Sequence, residues 1–408
     1  MNSSVGIDAL AFSGPATFVE MTDLAQARGV DPAKYLKGLG QRRMAIASPC
    51  EDPVTMAAEA ATRAMQGFGI DPEEIGTLIV GTETGVDHSK PVAVYVHELL
   101  GLDRRCRTFE TKHACYGAMA GLTASMDWIA SGRARGRKAL VVASDIARYG
   151  LGTAGEPTQG AGAVAMVLSD EPRLLTIDPT RIGDYTRQVM DFWRPLYSKY
   201  AFTDGHYSID CYLEALSGAR SDAVGERGQL LDQLGACLYH VPFVKMAFKA
   251  HQREMEVELG RTLSKDDNDA WRRLTDSYQR LTLPWLGLNA EVGNIYTGSL
   301  FLSLIDLLRQ AAESLSGRDI SLFSYGSGCG ATYSIGRIEE TAAAWRRTLD
   351  PADELAARRR LSVAEYEDLI EQSERADTAE RLDPAEYGLS GGLYYLGTRD
   401  HIRQYARG

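Results

Sequence analysis

Three short apolar runs constrain this chain most. Thr77-Leu-Ile-Val-Gly81, residues 138–144 and Gly160-Ala-Gly-Ala-Val-Ala-Met-Val-Leu-Ser169 are continuously apolar or nearly so, and none approaches the length of a membrane span. A strand with one wet face alternates polar and apolar residues; a run without alternation is a strand covered on both faces. Helices must then lie on both sides of the sheet. Residues 53–66 supply one, with Asp52 as its cap and Pro53 at the first helical position. Residues 91–100 and 118–130 supply others, and 71–74 a short helical turn. Residues 5–12 and 106–110 read as strands, and 18–28 and 32–36 as helical. This succession predicts a layered α/β fold.

The second part of the chain is less regular. Residues 177–235 are polar and aromatic, with a helical part at 210–216. Helices are expected at 244–258, 264–281 and 300–312, and strands at 320–325, 331–338 and, last, 393–398. Residues 350–381 are charged and helical, with Ser362 and Glu365 spaced as a capping box. No short-period repeat and no low-complexity linker marks a domain boundary.

A net charge of −11 argues against nucleic acid as the main partner. The basic clusters Arg42-Arg43 and 133–138 remain candidates for local docking. Six cysteines, at 50, 106, 115, 211, 237 and 329, show neither metal-ligand nor redox-pair spacing and fit a reducing compartment. The opening Met-Asn-Ser-Ser-Val-Gly lacks the basic-then-apolar pattern of a secretion signal. The expectation is a cytoplasmic protein with no membrane span.

The segment from Glu110 to Gly121, Glu-Thr-Lys-His-Ala-Cys-Tyr-Gly-Ala-Met-Ala-Gly, places Cys115 where a strand turns into a helix. Free N–H groups and the positive end of the helix favour a thiolate there and would also hold an oxyanion. A cysteine among alanines and glycines is equally a small core hydrophobe. Other chemistry-bearing motifs recur at strand ends: Gly81-Thr-Glu83-Thr-Gly-Val-Asp87, Tyr239-His240-Val-Pro-Phe-Val-Lys245, Gly293-Asn294-Ile-Tyr-Thr-Gly298 and Tyr325-Gly-Ser327-Gly. A cysteine, a histidine and a glutamate at such places make a nucleophilic site. Taken singly, Glu83 is also a solvated loop carboxylate and His240 a satisfied half-buried histidine.

Together these motifs resemble 3-hydroxy-3-methylglutaryl-CoA synthases of the thiolase superfamily. Ala114-Cys115-Tyr116-Gly resembles the family's nucleophile motif, Gly-Thr-Glu83 with Asp87 its general-base segment, and His240-Val-Pro-Phe with Lys245-Met its histidine segment. Asp145 and Asp191-Phe192 fall on family acidic positions. The resemblance implies a thiolase-like αβαβα fold of two pseudo-repeated halves within one unit, 1–170 carrying the nucleophile and 171–408 carrying helical insertions. It also implies a homodimer without a metal or a resident cofactor, acting on thioesters of CoA or phosphopantetheine.

The implied chemistry begins with acetyl transfer to Cys115. Glu83 then takes a methyl proton, and the carbanion attacks a β-keto group that His240 polarises and whose alkoxide it protonates. Water finally releases the acyl group. Asn294 and Tyr116 would orient substrate. Asp87, Asp145, Asp191 and Ser327 are further candidate substrate residues. Lys245 and Lys249, four apart on one helix face, would meet a phosphate of the carrier arm. Three departures from the primary-metabolism pattern, at Asp52-Pro-Val-Thr55, Lys112-His113 and Glu156, look like the polyketide β-branching branch of the family. On that reading a donor acyl carrier protein and an acceptor acyl carrier protein are the partners, and Glu156 at the entrance repels CoA. The alternative is the primary-metabolism synthase, which uses acetyl-CoA and acetoacetyl-CoA.

Overall fold

The computed structural model describes residues 5–198, 200–225 and 229–408. Residues 1–4, at the start of the stretch read above for a leader, lie outside it, as do 226–228 within the polar stretch. One nine-stranded sheet organises the chain. Its strands are β1 (Gly6–Ser13), β2 (Ile75–Gly81), β3 (Arg107–Thr111), β4 (Lys138–Ala147), β5 (Gly160–Ser169), β6 (Leu175–Thr186), β7 (Ala236–Tyr239), β8 (Asp319–Gly326) and β9 (Gly330–Ile338). Their spatial order is β7-β8-β9-β6-β1-β5-β4-β2-β3.

The order is a repeat. In one half β1 pairs antiparallel with β5, β5 antiparallel with β4, and β4 parallel with β2. In the other, β6 pairs antiparallel with β9, β9 antiparallel with β8, and β8 parallel with β7. The halves join through a short antiparallel contact, Gly6 opposite Thr176 and Ile7 opposite Leu175. β3 extends the first half at the edge, parallel to β2.

The apolar runs are buried as their patterning requires: every residue of β2 and β5, and all but the first of β4, is buried. The helix Gly117–Ala130 packs on β2 and β4, and Gly298–Ala311 on β5 and β7. Gly298–Ala311 is buried continuously from residue 298 to 308. A helix covered all round belongs inside the molecule, between layers. Among the described residues no helix is long and apolar enough to cross a membrane.

Four expectations need correction. Residues 18–28 are not one helix: Thr17–Glu20 is a strand in a separate three-stranded sheet, and the helix is Met21–Ala27. The region from 177 hides β6, a twelve-residue strand whose register breaks between Ile177 and Ile182. Pro179 sits in that break, where proline costs no ladder bond, and it concealed the strand. The helical part at 210–216 is the middle of a longer helix, Gly205–Val224. Leu393–Arg399 is not the last strand; it turns through Asp400 and His401, both at positive φ, into Ile402–Arg407.

Close packing at one glycine places the helix that follows Cys115. A Cβ on Gly81, the last residue of β2, would lie 2.1 Å from the Ala118 nitrogen and 2.3 Å from its Cα. Gly81→Ala is therefore expected to cost about 2 kcal/mol or more by overpacking. Gly85→Ala, whose Cβ meets nothing nearer than 3.8 Å, should cost far less. Urea unfolding of the two variants checks this; equal midpoints would refute the account.

Candidate active site

Cys115 lies in the five-residue elbow between β3 and the helix Gly117–Ala130. The turn is tight, with Ala114 at φ 39°. It is roofed by the turn between β8 and β9: a Cβ on Gly326 would lie 2.5 Å from Tyr116 Cβ and 2.7 Å from the His113 carbonyl oxygen. The other central helix begins beside it. Thr297 Oγ1, at that helix's N-cap, donates to the Cys115 carbonyl at 2.6 Å. The Cys115 side chain packs with Ala147, Tyr149 and Tyr296.

Glu83 follows β2 and Asp145 lies on the neighbouring β4. One Asp145 oxygen accepts from the Thr82 and Thr84 hydroxyls, both at 2.9 Å, and from the Glu83 and Thr84 backbone N–H groups at 2.9 and 3.2 Å. Asp145 thus shapes the loop that carries Glu83. The Glu83 carboxylate faces the Tyr296 phenol and lies 3.9 Å from Arg194 Nη2, while its Oε1 is buried without a hydrogen bond. A third carboxylate, Asp191, accepts from Tyr325 OH at 2.6 Å and from the Gly328 N–H at 2.9 Å. It stitches the Ser327–Gly328 turn to the segment that carries Arg194.

Asn294 is held by its neighbours. Its Oδ1 accepts from the Tyr296 N–H and its Nδ2 donates to Tyr149 OH, both at 2.9 Å. His240 follows β7, is 2 % exposed, and lies against the Tyr296 backbone with Nδ1 unpartnered. Tyr212 OH donates to its carbonyl oxygen at 2.8 Å.

Burial sets the charge states. It pushes His240 down to about 3, so the imidazole is neutral. Burial raises the Glu83 carboxyl, opposed mainly by Arg194. Burial and the Glu83 charge push Asp145 up to about 8, against its four donors. Cys115 is raised well above an ordinary thiol, by burial first and then by Glu83, Asp145 and Asp191. The helix terminus was expected to favour a thiolate; burial and the neighbouring carboxylates outweigh it, and Cys115 rests as a thiol.

A cavity of about 610 Å³ opens onto Glu83. Asp87, Lys112, Arg148, Arg194 and Arg403 are in its wall. Cys115 and His240 do not line it.

The structure therefore gathers Glu83, Cys115, Asp145, Asp191, His240 and Asn294. The remaining candidates are placed differently. Asp87 is exposed at the cavity edge and caps the Ser89 and Lys90 N–H groups at 2.7 and 2.8 Å. Tyr116 spends its hydroxyl on Thr332 at 2.7 Å, which explains its position without substrate. Ser327 is half-buried in the turn over the elbow. Lys245 and Lys249 are exposed, with Lys245 over the Phe248 ring. Tyr149, Tyr296 and Arg194 were not singled out from the sequence. Tyr296 stood inside a quoted motif, and Arg194 three residues after Asp191; neither position carries a local signal of its role.

The hydroxymethylglutaryl-coenzyme A synthase N-terminal family model matches residues 1–172, and the C-terminal model matches 175–283 and 256–408. The chain belongs to the hydroxymethylglutaryl-CoA synthase family. It is a condensing acyltransferase of that type, with the thiolase-like fold. It is 38% identical to the hydroxymethylglutaryl-CoA synthase of Enterococcus faecalis over 391 residues, 95% of this chain and 97% of that one. A solved structure of MvaS in complex with 3-hydroxy-3-methylglutaryl coenzyme A superposes with a TM-score of 0.92 at 47% identity, covering 99% of each chain. The curacin-pathway HMG synthase in complex with its apo donor carrier protein superposes at 0.89 with 32% identity, covering 99% of this chain and 100% of that one.

The synthase's resting thiol gives a test. Replacing Glu83 by Gln removes the carboxylate that most raises Cys115 among its charged neighbours, so the thiol pKa should fall. Alkylation of Cys115 by iodoacetamide, followed by intact mass, should therefore be faster in Glu83→Gln at a pH below the wild-type thiol pKa. An unchanged or slower rate would show that Glu83 does not set the thiol's protonation.

Proposed function

We propose that this chain condenses acetyl-CoA with acetoacetyl-CoA, giving hydroxymethylglutaryl-CoA, with Cys115 as acyl carrier, Glu83 as base and His240 at the ketone. The observation that carries the choice of CoA is the place of Glu156. It is not an entrance carboxylate: it is 1% exposed, clasped by Arg28 at 2.6 and 2.8 Å, and bonded to Gly152 N–H and Tyr366 OH. Its charge is matched within the fold and does not face the cavity. Asp52 likewise caps its helix with Thr55 and pairs with Arg403 at 2.9 Å and Tyr405 OH at 2.7 Å. Two of the three departures behind the carrier-protein reading are thus structural. The two basic clusters suggested for docking do not support it either. Arg42 and Arg43 are paired with Glu20 and Glu291. Residues 133, 135 and 137 surround Gly76, at the opposite end of β2 from Glu83. The greater identity to MvaS than to the curacin synthase supports the same choice.

In the first step the Cys115 sulfur forms a thioester with the acetyl carbon, the bond to CoA sulfur breaks, and CoA leaves as thiol with the cysteine proton. Glu83 Oε1, buried and unpaired, then takes a methyl proton. The carbanion bonds to the ketone carbon of acetoacetyl-CoA. A neutral imidazole with its one N–H on the otherwise unpartnered Nδ1 donates to the ketone oxygen but adds no net charge, so the alkoxide recovers its proton from the carboxylic acid that Glu83 has become. Water then cleaves the Cys115 thioester, leaving a free carboxylate.

Incubation with acetyl-CoA should add one acetyl group, and Cys115→Ala should abolish both this and condensation. Glu83→Ala should still be acetylated but form no carbon–carbon bond. Acetyl transfer from CoA should at least equal transfer from an acetyl carrier protein at matched concentration. Transfer much faster from the carrier would favour the β-branching reading, which the curacin match keeps in view.

A further inference from the structure

Arg194 occupies a position that the scheme above leaves without a task. It follows the Phe192–Trp193 strand in the second half of the chain, yet its guanidinium crosses to the first half, where Nη2 donates to the Glu83 carbonyl. The same nitrogen lies 3.9 Å from Glu83 Oε2. Its side chain is largely buried, at 21% exposure, and lies in the cavity wall. The segment is anchored three residues earlier, where Asp191 is bonded to Tyr325 and to the Gly328 N–H. Arg194 is therefore the outer end of a short strut that starts under the turn roofing Cys115 and ends on the loop of Glu83.

We propose that Arg194 is a positioning residue for Glu83: it fixes the loop through the carbonyl and holds Oε2, so that Oε1 alone faces the acetyl methyl group. The proposal rests on the reading of Glu83 as base. The geometry gives that reading its asymmetry. One carboxylate oxygen has a cationic neighbour and the other has no partner, as a base waiting for a carbon-bound proton requires. The charge also matters. A buried carboxylate drifts toward its neutral form, and Arg194 is the largest influence opposing this at Glu83. Removing the cation raises the carboxyl pKa, so the ionised base is present only at higher pH.

The test separates the half-reactions in the full-length enzyme. Acetyl-Cys115 is formed with acetyl-CoA and placed in deuterated water without acceptor, and wash-in of deuterium to the methyl group is followed by mass. In Arg194→Gln the acid limb of this exchange should move up by about one pH unit, an approximately tenfold loss on that limb. The acetylation rate should change far less. Arg194→Lys, which restores a cation without the fork, should return the limb towards its wild-type position but recover only part of the rate. An unmoved limb in Arg194→Gln, or equal losses in acetylation and exchange, would overturn the proposal. Failure of Arg194→Lys to restore the limb would do the same. Glu83→Gln is the separate arm: exchange that persists in it would remove the base assignment itself, whatever Arg194 does.

Discussion

The Thr297 hydroxyl is shared between the two halves of the molecule at the one place where both must be correct. It donates to the Cys115 carbonyl at 2.6 Å and accepts from the Ala118 N–H at 3.4 Å. The starts of the two buried helices are thus tied to each other. Each is preceded by a strained elbow, with Ala114 at φ 39° and Tyr296 at φ 52°. Strain of this kind persists only where surrounding structure over-determines it. Here the repeat supplies the determination: β2-β4-β5-β1 and β7-β8-β9-β6 bring two equivalent helix starts together. One elbow carries the thiol and the other carries the tyrosine that faces Glu83 and backs His240.

That arrangement brings three carboxylates near a thiol in a buried site. Such a site costs free energy unless each charge is matched or lost. The chain uses different solutions at each group. Asp191 is wrapped by a phenol, a backbone N–H and the Ser208 hydroxyl, Asp145 by four donors, and Glu83 by Arg194 beside Oε2 and the Tyr296 phenol, with Oε1 left unpaired. The incompleteness at Glu83 coincides with the atom that the chemistry needs. The thiol and imidazole rest neutral, so no proton has been moved before substrate arrives, and each transfer is coupled to bond formation.

Much of this was legible because it is local. The buried strands, the capped helix Pro53–Gly67 and the capping box at Ser362 were visible from short-range pattern and cap chemistry. So was the Cys115 elbow, since a strand, small residues and a helix follow one another there. The strand Leu175–Thr186 was not, because its pattern is broken by Pro179 and by four residues without sheet partners. The thiol's protonation state is not legible either, for a related reason. The helix terminus is written beside Cys115, whereas Asp145 and Asp191 act from 30 and 76 positions further along the chain. Tyr149 and Arg194 have no local signature, and Tyr296 only its place in a motif, since what each does is decided by a partner on another element.

The choice between CoA and a carrier protein is not legible in the sequence for the same physical reason. A charged residue that departs from a family pattern invites a functional reading, but its effect depends on what faces it. Glu156 faces Arg28, 128 residues earlier, and Asp52 faces Arg403, 351 residues later. Each departure is paired with a cation that the local motif does not contain. A carboxylate so matched has almost no field left at the cavity, whereas the same carboxylate alone would repel a phosphate strongly. Substrate preference in this fold is therefore read from unmatched charge in the cavity wall, not from the identity of motif residues. Lys112, exposed beside the elbow, is the remaining departure in that wall; among the described residues it has no ion pair, and its ammonium is of the sign that attracts a phosphate rather than excludes it.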